Sequence, residues 1–148
     1  MRAVLQRVTS STVSVSGNSI GSIGRGMNIL LGVGQEDDES AVAKFAEKIA
    51  KLRIFQDGDG KMNRSLLDIK GEVLLISQFT LYGDCRKGRR PSFIGAADPE
   101  KGRALYEKMI EAIRGYGVVV ATGEFGGYMD VNIANDGPTT IILDSDEI

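Results

Sequence analysis

The sequence predicts an α+β fold: mixed, mainly antiparallel curved sheets forming a barrel-like core with two packed helices. Three observations carry this. Several short segments have the apolar spacing of strands, and only two switch to the spacing of a helix. The order is strands, helix, strand, helix, strands. The helices can therefore serve as crossovers, while both ends of the chain read as hairpins.

Each element follows from its residues. Residues 2–8 alternate apolar and polar side chains and read as a strand. Residues 12–16 and 19–23 flank Gly17-Asn18, a hairpin turn. Residues 27–33 are continuously apolar, as in a strand buried on both faces. In residues 38–52, Val42, Phe45, Ala46, Ile49 and Leu52 fall on one helical face, behind an acidic first turn. "QDGDGK", residues 56–61, is a turn-rich loop. Residues 73–81 form the next strand, followed by an irregular stretch over 82–97. Asp98 then caps a second helix with Pro99 in its first turn. Leu105, Tyr106, Met109, Ile110 and Ile113 give this helix an apolar face, and Gly115 and Gly117 stop it. Residues 118–122, 129–134 and 139–143 complete the strands.

A chain of 148 residues suits a single domain spanning 1–148. Its hydrophobic share of 42% and charged share of 26% are ordinary for a globular protein. No apolar run approaches the roughly 18 to 20 residues of a membrane span. The alternating N-terminus lacks the apolar block of a signal peptide, so a cytoplasmic protein is expected. One cysteine, Cys85, cannot form an internal disulfide. The net charge of -2 gives no global attraction to nucleic acid. The chain has no histidine, which excludes a Ser-His-Asp triad, a Cys-His pair and every His-containing zinc site. If the protein is an enzyme, something other than imidazole moves the protons, and no metal or cofactor is expected.

Four strings could carry chemistry. In "ISQFTLYGD", read as a strand, Gln78 and Thr80 share a face and set an amide beside a hydroxyl. That pair could position a substrate or stabilise an oxyanion, or could simply be a solvated face; no base for a Thr80 nucleophile is visible nearby. "CRKGRRP" places Arg86, Lys87, Arg89 and Arg90 in the long loop, a phosphate contact or a solvated charge run, with Tyr82 and Phe93 as stacking surfaces beside it. "DGDGKMN" lacks the glutamate and glycine register of a calcium loop and reads as a turn. "GEFGGYMDVNIANDGPTT" has glycines around Phe125 and a Gly137-Pro138 pair between two strands. The pair is a plain turn or a backbone held in a special shape, and X-Pro is the bond type for which cis is cheap.

Taken together, "MRAVLQRV" at Met1, "SQFTL" at Ser77, "GDCRKGRRPSF" at Gly83 and "NDGPTT" at Asn135 resemble the D-aminoacyl-tRNA deacylase family over essentially the whole chain. The family's two signature motifs, SQFTL and N-x-G-P-[VT]-T, are met without a mismatch. Phe79 supports the D-specific branch, because a related animal deacylase carries alanine there. The resemblance implies a homodimer that hydrolyses the ester of a D-amino acid, or of mischarged glycine, on the 3′-terminal adenosine of tRNA. It implies that Gly137 and Pro138, joined by a cis bond, enter the partner's active site as a chiral filter that rejects L side chains. It implies that the terminal 2′-OH assists hydrolysis, with backbone N–H groups near Phe79 and Thr80 stabilising the oxyanion. Ser77, Gln78 and Phe79 would then line the aminoacyl-adenosine pocket, with Phe125 and Met129 near the adenine. Arg7 would brace the Gly-Pro segment, and the basic loop would meet acceptor-stem phosphates. One departure is "FGGYM", where the family more often has alanine in place of Gly127. The rival readings are a non-enzymatic RNA-binding module, a generic threonine hydrolase and a purely structural dimer.

Overall fold

The computed structural model describes all residues, 1–148. The strands are β1 (Arg2–Val15), β2 (Asn18–Ile23), β3 (Gly26–Gly32), β4 (Phe55–Gln56), β5 (Met62–Arg64), β6 (Glu72–Ser77), β7 (Val120–Thr122) and β8 (Asp130–Asp144). The helices are α1 (Glu39–Lys51) and α2 (Pro99–Arg114). β8 runs antiparallel along one flank of β1, while β3 and β2 share its other flank, also antiparallel. β6 and β7 then extend the sheet from β3 in parallel. The sheet curls until β2 approaches β7: a Cβ on Gly21 would lie 2.8 Å from the Thr122 carbonyl oxygen, so only glycine fits. The result is a mixed sheet nearly closed into a barrel, with β4 and β5 as a second, two-stranded sheet. No helix is long and apolar enough to cross a membrane.

The parallel crossovers explain the apolar runs. α1 connects β3 toward β6, and α2 connects β6 toward β7, so both helices cover one face of the sheet. Val42, Phe45 and Ile49 of α1 and Leu105, Met109 and Ile113 of α2 pack with Leu5, Met27, Ile29, Val73 and Leu75 in the main core. On the opposite face Leu74 and Ile76 join Val8, Val13 and Ile23 inside the curl. β6 is thus buried on both faces, which is why it reads as an unbroken apolar string. Each helix begins where its sequence signal predicts. Asp38 accepts from Ala41 N–H at 3.0 Å, and Asp98 accepts from Glu100 and Lys101 N–H, both at 3.0 Å.

Three element expectations are corrected. Residues 2–8 and 12–16 are one continuous strand, because β8 pairs with β1 on both sides of its polar middle. The expected strand over 73–81 ends at Ser77, and Phe79–Tyr82 winds into a 3-10 helix. Residues 129–134 and 139–143 belong to one strand interrupted by a bulge. Gln6 faces Thr140 and Val8 faces Asn135, so Arg7 alone stands opposite Asp136, Gly137, Pro138 and Thr139.

Candidate active site

A cleft of about 530 Å³ opens beyond the C-terminal end of β6. Leu31, Val33, Ile76 and Val131 supply apolar side chains to its lining. Pro99, Gly102 and Tyr106 at the start of α2 form a second wall, and the glycine-rich segment from Phe125 to Met129 forms a third. Ser77, Gln78, Phe79 and Phe93 complete it. Five of the expected pocket residues are therefore brought together here: Ser77, Gln78, Phe79, Phe125 and Met129.

The turn after Ser77 decides what this edge can do. Because Gln78 and Thr80 lie in and before a 3-10 turn, they are not neighbours on a strand face, which corrects the strand reading. Their side chains still meet, with the Gln78 amide donating to the Thr80 hydroxyl oxygen. Thr80 is exposed, does not line the cleft, and has no carboxylate or amine on its hydroxyl. The first N–H groups of a 3-10 helix have no partner inside it. Leu81 N–H donates back to the Gln78 carbonyl at 3.2 Å, while those of Phe79 and Thr80 find no acceptor within the turn. Phe79 is 58% exposed and meets Phe93 edge-on, with ring centroids 5.1 Å apart.

Titratable groups are sparse in the cleft. The Asp98 carboxylate is committed to capping α2. Tyr106 donates its hydroxyl to the Leu75 carbonyl at 2.8 Å, and burial pushes it up to about 12. Neither group is a ready general base.

Gly137 and Pro138 do not line this cleft. Arg7, beside their bulge, pairs with Met27, and Met27 with Val73, whereas on β6 the cleft begins at Ile76. With a rise of about 3.3 Å per residue and about 4.8 Å per strand, the two places are on the order of 15 to 20 Å apart. The Gly137-Pro138 bond is cis, and both residues are exposed. The bulge carrying them is braced from behind. Buried Arg7 donates to the Asp136 carbonyl at 3.1 Å and the Ile54 carbonyl at 2.6 Å, and pairs with the Asp136 carboxylate at 3.2 Å. Asn135 accepts from Thr139 N–H at 2.8 Å and donates to the Thr140 hydroxyl at 3.1 Å. Gly137 has φ +134°, and a Cβ there would lie 2.6 Å from Thr139 Oγ1 and 3.0 Å from Arg7 Nη2. No other residue fits this backbone.

The basic string forms the tip of a small hairpin closed by reciprocal Asp84–Ser92 backbone bonds of 2.7 and 3.0 Å. Arg86 is tied to Asp84 by two guanidinium hydrogen bonds and one from its backbone N–H, which together hold that carboxylate down to about 2. Lys87, Arg89 and Arg90 are exposed and form no ion pair. Tyr82 is not a free stacking surface. It packs against Gly34, lies under the Arg2 guanidinium at 4.7 Å and donates to Asp37 at 3.3 Å. Sequence reasoning missed the Asn135 clamp, although Asn135 heads the NDGPTT string, and it missed Tyr106 and Gly102 as walls because both sit within an ordinary helical pattern.

The chain as a whole is similar to known proteins. The profile of the family described as D-Tyr-tRNA(Tyr) deacylase matches residues 4–144. A D-aminoacyl-tRNA deacylase of Fervidobacterium nodosum is 59% identical over 148 residues, covering 100% of this chain and 99% of the relative. One from Thermosipho melanesiensis is 58% identical over 149 residues, with the same coverage of 100% and 99%. Among solved structures, a c-Myc DNA Unwinding Element Binding Protein superposes with a TM-score of 0.92 at 40% identity, over 97% of this chain and 98% of that one. A probable eukaryotic D-amino acid tRNA deacylase superposes with a TM-score of 0.84 at 19% identity, over 96% and 97%, a likeness of fold. The chain belongs to the D-Tyr-tRNA(Tyr) deacylase family.

Proposed function

We propose that the chain is a D-aminoacyl-tRNA deacylase whose site is completed by two subunits of a homodimer. The hydrolase activity on the aminoacyl-tRNA ester follows from family membership. The observation that carries the finer reading is the separation within one chain of a concave cleft and a braced, exposed Gly137-Pro138 bulge. Each lacks what the other has. A two-fold dimer would give each cleft the partner's bulge.

In this reading the terminal adenosine and its aminoacyl group occupy the cleft, among Ser77, Gln78, Phe125 and Met129. Gly137 and Pro138 of the partner subunit bring main chain against the α-carbon. An L side chain would meet that backbone, while a D side chain would point away; mischarged glycine has no side chain to reject. Water attacks the ester carbonyl carbon, and the N–H groups of Phe79 and Thr80 receive the developing oxyanion. The bond to the 3′ oxygen breaks. The tRNA 2′-OH takes the water proton and returns a proton to the departing 3′ oxygen, the proton transfer that a histidine-free cleft leaves to the substrate. Lys87, Arg89 and Arg90 meet acceptor-stem phosphates from the hairpin tip; Arg86 does so only by sharing its guanidinium with Asp84.

The test is deacylation of one tRNA carrying D- or L-tyrosine. Rapid release of the D form with the L form intact is expected. Equal release of both would remove the chiral role of Gly137-Pro138. The exposed basic tip also suits a non-catalytic nucleic-acid-binding reading, and release of neither form would favour it.

A further inference from the structure

We infer that Arg103 is a positioning residue, which sets the Phe125 wall of the cleft by stacking on it from outside. The inference rests on the reading of the cleft as the aminoacyl-adenosine site. The segment from Gly123 to Met129 has little to hold it. It contains Gly123, Gly126 and Gly127, and its internal ties are one backbone bond, Gly127 N–H to the Glu124 carbonyl at 3.1 Å, and a Glu124 N–H to Met129 sulfur contact at 3.3 Å. Its ends are held by Gly123 N–H on the Leu75 carbonyl at 3.4 Å and by Met129 against the inner core; between them Phe125 is the anchor, and that anchor is gripped by α2. The Tyr106 ring lies 5.7 Å from the Phe125 ring, and Tyr106 is itself fixed to the Leu75 carbonyl two residues before Ser77. The Arg103 guanidinium sits 4.8 Å over the same ring. Gly102 lies against the same ring, where a Cβ would meet the Phe125 ring tip at the ordinary contact distance of 3.4 Å. Arg103 has no carboxylate partner, so its charge is directed at the ring.

Arg103→Ala and Arg103→Lys are compared with the wild type. Because Arg103 is exposed, both variants are expected to fold. In hydrogen exchange, the amides of residues 123–129 should exchange about three- to fivefold faster in Arg103→Ala, the loss of one exposed cation–π contact, while β6 amides are unchanged. With D-tyrosyl-adenosine, which lacks tRNA phosphates, KM should rise by a similar factor of about three to five while kcat stays within about twofold. The lysine variant should recover only part of either effect, because an ammonium does not stack as a guanidinium does. A KM effect on D-tyrosyl-tRNA alone would make Arg103 a phosphate contact and overturn the inference. So would unchanged exchange in residues 123–129. A wild-type enzyme inactive on both substrates would overturn the functional reading instead, with the exchange result still deciding the role of Arg103.

Discussion

The two ends of the sheet solve opposite problems. At the Arg7 end, the chain pushes Gly137 and Pro138 outward and then fixes them with a buried guanidinium, an asparagine clamp and a backbone that admits only glycine. At the Ser77 end, it builds a hollow whose walls are apolar side chains, a helix start and a loose glycine-rich segment. The difference teaches where precision is placed. In the proposed reading, the convex element that would distinguish mirror images is rigid main chain, whereas the concave element that would receive the substrate is adaptable and carries few polar groups.

The comparison breaks most sharply at the rigid end. Gly137→Ala places a methyl 2.6 Å from Thr139 Oγ1 at a φ that L residues rarely adopt. The bulge must shift, so stability should fall by about 1 to 3 kcal/mol. Deacylation should fall by about 100-fold, the usual effect of a misplacement near 1 Å. Thermal unfolding and single-turnover rates check both. Arg7→Ala leaves the Asp136 and Ile54 carbonyls without their buried donor. It should cost about 2 to 3 kcal/mol, read by urea unfolding. Arg7→Lys should not restore it, because one ammonium cannot reproduce the fork.

Smaller effects belong to the cleft. Tyr106→Phe removes a buried donor to the Leu75 carbonyl and should cost about 1 kcal/mol. Tyr106 also sets an alkaline limit. Burial raises its folded value from 10.0 to about 12, so its neutral hydroxyl contributes stability that is full below pH 10 and is lost as pH rises toward 12. Unfolding measured across that window should lose this component in Tyr106→Phe. Thr80→Ala should change the deacylation rate least, by less than about tenfold, because the hydroxyl is held by the Gln78 amide and faces no base. Loss of most activity would turn Thr80 into a nucleophile.

How much of this was legible followed the range of the interactions. The helices were readable because their signals are local: the Asp38 and Asp98 caps and the apolar faces of α1 and α2 lie within a few residues. The buried run of β3 and the mixed sheet were readable from composition and element order. The bulge was not, because it exists only as a register difference between β1 and β8, more than 100 residues apart in the chain. The 3-10 turn at Phe79 was hidden for a related reason. "SQFTL" has the composition of a strand, and β3 ends at Gly32, one residue beyond the partner of Ser77, so no ladder remains to continue it. The string around Gly137-Pro138 raised both a turn and a held backbone; the braces from Arg7 and Asn135 favour the second, though neither spacing nor charge in the sequence pointed to Ile54 as Arg7's other anchor.

The central claim is that the bulge of one subunit completes the cleft of another, and subunit mixing tests it most directly. Phe79→Pro deletes an N–H proposed for the oxyanion, at the first position of the 3-10 turn, where proline is tolerated and where Gln78, at φ -145° and ψ 77°, lies outside the α region that a following proline disfavours. Gly137→Ala damages the bulge. Each variant alone should retain on the order of a hundredth of wild-type activity or less on D-tyrosyl-tRNA. After unfolding and refolding an equal mixture, half the dimers are mixed, and each mixed dimer holds one undamaged cleft facing one undamaged bulge. The account predicts recovery of about a quarter of wild-type activity. No recovery, from a mixture shown to contain mixed dimers, would contradict it and return both motifs to separate roles within one chain.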